Sequence, residues 1–115
     1  MTEQEFRLTE QEFRLQADRA LEGLQRGLLP LADEEGFEVE LQNDVLQVIF
    51  EDPSPAKFVV SPNAPVRQIW ISAQSRSFKL DWDGMKFVLP STGEPLDALV
   101  GRLIGEQLGV KPFRL

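Results

Sequence analysis

Phe37-Glu38-Val39-Glu40-Leu41-Gln42-Asn43-Asp44-Val45-Leu46-Gln47-Val48-Ile49-Phe50 is the stretch that decides the fold. Its first half alternates: Phe37, Val39 and Leu41 fall on one side of an extended chain, Glu38 and Glu40 on the other. Asn43-Asp44 suits a short turn, because both residue types tolerate the left-handed backbone. Leu46, Val48 and Phe50 then resume the period as the inner face of a second strand. Two alternating runs joined so closely pair antiparallel.

Downstream, Asp52-Pro53-Ser54-Pro55 breaks the second strand, and a third is expected over about Lys57–Ser61. Pro62 and Pro65 are expected to bracket the next loop. A fourth strand, Arg67–Ala73, has Ile69 and Ile71 on its core side, which leaves Gln68, Trp70 and Ser72 outside. A fifth turns Phe78, Leu80 and Trp82 inward and Lys79 and Asp81 outward; Trp82 reads as a core residue. Asp83-Gly84 predicts a two-residue hairpin turn, followed by a sixth strand with Met85, Phe87 and Leu89 on its inner face. Pro90-Ser91-Thr92-Gly93 ends the sheet. Pro95 suits the first turn of a helix. Leu96, Leu99, Val100, Leu103 and Leu108 carry that helix, and Gly109 stops it. Gly101 and Gly105 inside it each cost about 1 kcal/mol relative to Ala, which implies close packing against the first helix or the sheet.

Upstream of the hairpin the period is helical. Phe13, Ala17, Ala20, Leu21, Leu24 and Leu28 recur at three and four, opposite Glu12, Asp18, Arg19, Glu22 and Arg26. Gly27 and then Pro30 are expected to stop this helix, with Asp33-Glu34-Glu35-Gly36 as a loop. Residues 2–8 and 9–15 repeat one heptapeptide, TEQEFRL. A seven-residue repeat sets Phe6 and Phe13 on nearly the same face, so the extra copy is expected to lengthen the helix without changing its register. The order helix, six strands, helix predicts one α+β domain over residues 1–115. Two helices cover one face of an antiparallel sheet, and the other face is left to solvent or a partner.

Composition narrows the chemistry. The 115 residues include no His and no Cys. There can be no disulfide framework, thiolate nucleophile, imidazole base or His/Cys metal cage, and any metal must be held by oxygen. No catalytic constellation emerges. The net charge of −7 argues against duplex nucleic acid and against an anionic membrane surface. No apolar run approaches the ~20 residues of a membrane-crossing helix, and no secretory signal opens the chain. The charge is lopsided: residues 1–44 hold 12 acids and 4 arginines, residues 45–115 hold 7 acids and 8 bases. The acidic excess therefore sits in the first helix and first strand, as a surface for cations or a basic partner. The plainer alternative is a solvated helix face that aids solubility.

Pro65-Val66-Arg67-Gln68-Ile69-Trp70-Ile71-Ser72, Leu80-Asp81-Trp82-Asp83-Gly84 and Gly93-Glu94-Pro95-Leu96-Asp97-Ala98-Leu99 follow one another in that order, after the strand Asp44–Phe50. Together they resemble the frataxin family, in particular its bacterial CyaY type, and the likeness runs over nearly the whole chain from about Glu12. The resemblance implies weak binding of iron (Fe²⁺ or Fe³⁺) by carboxylates. It also implies engagement of the cysteine desulfurase and scaffold protein of iron–sulfur cluster assembly, as iron donor, regulator or both. Carried over by position, the iron-binding acids are Glu22, Glu34, Glu35, Glu38 and Glu40, with Asp33 beside them. The partner-contact residues are Asn63, Gln68, Trp70 and Lys79. The end of the first helix departs from the family pattern: Gln25, Arg26, Leu29 and Pro30 stand where the family is densely acidic, so the ridge is thinner. Ser61-Pro62 likewise replaces a common Asn-Lys. The resemblance further implies a monomer in the absence of iron and a bacterial cytoplasmic location; a mitochondrial one requires that a transit peptide has been removed. The alternative from another class is a small acidic cytosolic α+β chaperone for a secreted effector. Such chaperones set a helix between their strands, and the uninterrupted strands from 37 to 89 speak against it.

Overall fold

Thr9 starts the first helix. Its hydroxyl accepts from the Glu12 amide at 3.1 Å while the Glu12 carboxylate accepts from the Thr9 amide at 2.9 Å. This reciprocal box satisfies two amides that a helix end leaves unpaired. The computed structural model describes residues 7–115 and runs α1 (Glu10–Glu35), β1 (Glu38–Gln42), β2 (Val45–Phe50), β3 (Ala56–Asn63), a 3-10 turn (Ala64–Val66), β4 (Gln68–Ala73), β5 (Arg76–Trp82), β6 (Phe87–Val88) and α2 (Leu96–Leu108). The helix thus begins inside the second copy of the repeat. Arg7 and Leu8 of the first copy precede the cap and do not lengthen the helix as expected; the rest of that copy, with Phe6, lies outside the described residues.

Gly27 and Pro30 do not stop α1. The helix continues to Glu35, so Asp33, Glu34 and Glu35 form its last turn rather than a loop. Proline inside a helix costs about 3 kcal/mol. Here its ring stands on the exposed side, and the buried stripe Phe13, Ala17, Leu21, Leu24, Leu28, Ala32 carries on past it. Burying a leucine returns roughly 1.5–3 kcal/mol, which offsets the lost bond. Gly36 supplies the true stop: at φ 83° it takes the left-handed cap, and its N–H donates to Ala32 at 2.8 Å.

The six strands form one sheet in the order β1-β2-β3-β4-β5-β6, antiparallel throughout. Asn43 and Asp44 take φ of 53° and 64°, the turn that suits a two-residue hairpin. The inner faces carry Leu46, Val48, Phe50, Phe58, Val60, Ile69, Ile71 and Leu80, all buried, and they join the apolar stripes of both helices in one core. Phe13 meets Phe87 edge to face at 5.8 Å, joining α1 to the far side of the sheet. Trp82 is half-buried and packs on Phe87 at 5.1 Å.

Three local expectations give way. β3 runs on through Pro62, which sits opposite Ile69; the β2 pairing has ended at Leu46↔Val60, so one side of β3 is open there and tolerates a proline. The β5–β6 turn has four residues, not two. The Asp83 carboxylate accepts from the amides of Met85 and Lys86, both at 2.8 Å, and pairing resumes only at Trp82↔Phe87. Met85 therefore lies in the turn, 84% exposed, rather than on the inner face of β6. Pro95 caps α2 from just outside, with the helix starting at Leu96.

The glycines of α2 face neither α1 nor the sheet. A Cβ on Gly101 would collide with the carbonyl oxygen of Phe113, and one on Gly105 would come within 2.6 Å of the Lys111 carbonyl oxygen. The C-terminal segment lies along this track, and the Phe113 amide donates to the Gly101 carbonyl at 3.1 Å. Gly27 of α1 completes the seat, since its Cβ would lie 3.4 Å from that of Leu115. Gly101→Ala should therefore lower the melting temperature by on the order of 10 °C and remove hydrogen-exchange protection from the Phe113 amide. Gly23→Ala, whose Cβ would meet only Arg26 at 3.8 Å, should be neutral or stabilising. Equal melting temperatures for the two variants would contradict the seat.

Candidate functional site

The outer face of the sheet holds a compact polar block built by register alone. Gln68 stands opposite Asp81 and Trp70 opposite Lys79 across the β4–β5 pair, while Asn63 and Ser61 on β3 face Gln68 and Trp70 from the other side. Asn63, Gln68, Trp70 and Lys79, dispersed over 17 positions in sequence, thus become neighbours on three adjacent strands. Trp70 is 37% exposed. Its indole N–H donates to Gln68 Oε1 at 2.8 Å, and Gln68 Nε2 donates to Asp81 at 2.9 Å. The Lys79 ammonium lies 4.8 Å from the ring centroid, a cation held against the ring's electron-rich face. The indole is half-covered by these neighbours and fixed in position, and its remaining surface is open to a partner.

The acids are arranged differently. Glu22 projects from the middle of α1, Asp33, Glu34 and Glu35 from its last turn, and Glu38 and Glu40 from the outer face of β1, all exposed. Among the described residues no three acids gather closely enough to hold a metal ion. Oxygen donors of this kind suit hard or borderline cations in an open, weak association, and the arrangement offers a field rather than a cage.

Comparison with known proteins fits this architecture. A family model described as "Frataxin-like domain" matches residues 6–110. The chain belongs to the frataxin family. Curated relatives are bacterial and carry the name iron–sulfur cluster assembly protein CyaY. That of Pseudomonas aeruginosa is 34% identical over 77% of this chain and 84% of its own length. That of Janthinobacterium is 30% identical over 96% and 93%. The solved structure of a frataxin from Psychromonas ingrahamii superposes with a TM-score of 0.75 at 17% identity, covering 91% of this chain and 96% of that one. At that identity the superposition speaks to the fold, and the fold agrees: two helices on one face of a six-stranded antiparallel sheet.

Two acids of this frataxin that were not among the candidate iron ligands meet in the structure. Asp18 on α1 and Asp44 in the β1–β2 turn line one shallow cleft with Glu22 and Asn43. Asp18 and Glu22 are one helical turn apart on the polar face that the spacing disclosed; Asp44 joins them only through the hairpin. Loss of hydration in the cleft, reinforced by the charges of Asp44 and Glu22, raises the Asp18 carboxyl above its ordinary 3.8. The native state therefore holds this proton more tightly than the unfolded chain does. Stability from this source is present below the ordinary value and lost as pH rises through the raised one. Asp18→Asn should raise the melting temperature at pH 7 by about 2 °C. The gain should vanish below pH 3.8, where both states are protonated. Thermal melts across pH decide it, and a gain that persists in acid would contradict the electrostatic origin.

Proposed function

We propose that this frataxin acts in iron–sulfur cluster assembly as a non-enzymatic partner of the cysteine desulfurase and its scaffold protein, with the outer sheet face as the contact surface. The observation that carries the reading is the block of Asn63, Gln68, Trp70 and Lys79, where a partly exposed tryptophan sits among ordered polar side chains. Aromatic residues in such settings anchor protein interfaces. The names of its relatives support the assembly role. Absence of thiol and imidazole groups from the sequence accords with action through binding rather than covalent catalysis. The location consistent with bacterial relatives is the cytoplasm, and among the described residues no helix is long and apolar enough to cross a membrane.

Iron enters this reading as cargo or effector. Glu22, Asp33, Glu34, Glu35, Glu38 and Glu40 would hold it weakly along the α1–β1 edge, and the same negative field would steer a basic patch of the desulfurase. The free protein is read as a monomer.

Trp70→Ala should leave the melting temperature within about 2 °C of the parent and weaken binding to purified scaffold by tenfold or more. A large loss of stability would instead make Trp70 a core residue. Titration with Fe²⁺ should shift amide resonances of α1 and β1 and spare those around Trp70. Shifts concentrated on β4 and β5 would overturn the iron assignment. Desulfurase turnover with and without this chain and iron tests the role itself, and no effect on rate or complex formation would refute it.

A further inference from the structure

We propose that Asp81 is a positioning residue for the partner surface: it sets the polarity of the Gln68 amide and thereby fixes the ring of Trp70. The inference rests on the reading of Trp70 as a partner contact, but its physical core concerns this chain alone.

The chemistry of the three groups allows one ordering. An indole N–H can only donate and an ionised carboxylate can only accept, whereas a glutamine amide has one end of each kind. Gln68 lies between the two, receiving from Trp70 at 2.8 Å and donating to Asp81 at 2.9 Å. A flipped amide would set two donors against each other at one end and two acceptors at the other. Asp81 therefore dictates which end of Gln68 faces Trp70, although Asp81 and Trp70 share no hydrogen bond. Register brings the chain about: Gln68 and Asp81 are direct cross-strand partners, as are Trp70 and Lys79 on the next position of the same face. The ring is thus tethered along its edge by Gln68 and covered by Lys79 at 4.8 Å. A preordered side chain loses less conformational freedom on binding.

Substitution at Asp81 separates the acceptor from the charge. In Asp81→Ala the Gln68 amide has no acceptor to orient it. In Asp81→Asn the new amide can turn its oxygen towards Gln68 and restore the order without the charge. The indole N–H resonance of Trp70, distinguished from that of Trp82 with a Trp70→Phe variant, reports the tether in the free full-length protein. Asp81→Ala should move that resonance and speed its exchange with water by about fivefold or more. Asp81→Asn should leave both close to the parent, and thermal melts should place both variants in the folded state. Binding to purified scaffold protein should weaken by roughly fivefold for Ala and by less than twofold for Asn. An unchanged indole signal in Asp81→Ala overturns the proposal. So does an equal change in Ala and Asn, which would make the charge and not the acceptor the operative feature. If the indole responds as expected while the parent protein binds no scaffold, the positioning stands and the partner reading falls.

Discussion

The pairing of β4 with β5 aims Gln68, Trp70, Lys79 and Asp81 together onto the outer face. A strand has a period of two, so a slip of one residue would turn Trp70, Gln68 and Asp81 into the core and expel Ile69, Ile71 and Leu80. Those three aliphatic residues are essentially inaccessible to solvent, and their burial under the two helices is what forbids the slip. The force that holds the core together also sets the polar block. Nothing on the outer face needs to be strong on its own account; it inherits its geometry from the hydrophobic side of the same strands.

The two electrical zones of the molecule follow from the same sheet. Glu38 and Glu40 sit on the outer face of the edge strand β1, and Trp70 sits on β4, three strand spacings away. At about 4.8 Å per spacing this is roughly 14 Å, well beyond the ~8 Å over which charges are felt at physiological ionic strength. The acidic edge and the aromatic centre are therefore electrically separate while lying on one continuous surface. A cation gathered at the edge would leave the field at Trp70 almost unaltered, whereas a large protein laid across the sheet would meet both.

Most of this arrangement was legible in the sequence because it depends on period. The alternation from Phe37 to Phe50 and the parity of Ile69, Ile71 and Leu80 disclosed the strands, their inner faces and the outward Trp70. The family likeness then pointed to Asn63, Gln68 and Lys79. What the sequence hid depends on contacts between distant segments. Pro30 is a helix breaker in isolation, but the buried stripe on either side of it outweighs its cost. Gly101 and Gly105 signalled a close approach without naming what approached, and the answer was a segment with no secondary structure of its own. Met85 had the right parity for the core until the Asp83 carboxylate lengthened the turn by capturing two amides. Asp81 looked like an ordinary outward carboxylate, because its link to Trp70 runs through a third residue on another strand.

The cap at Thr9 has a consequence for the repeated heptapeptide. Thr2–Leu8 and Thr9–Leu15 are spelled identically, so excising either copy leaves the same shorter chain. In that chain a Thr still stands three residues before a Glu, and a Phe still follows to fill the place of Phe13 against Phe87. The folded domain cannot register which copy was lost. Loss of one unit would change the residue just before the cap, where Leu8 packs against the core and its carbonyl accepts from Arg67 at 3.2 Å, whereas gain of a unit would keep a Leu at that place.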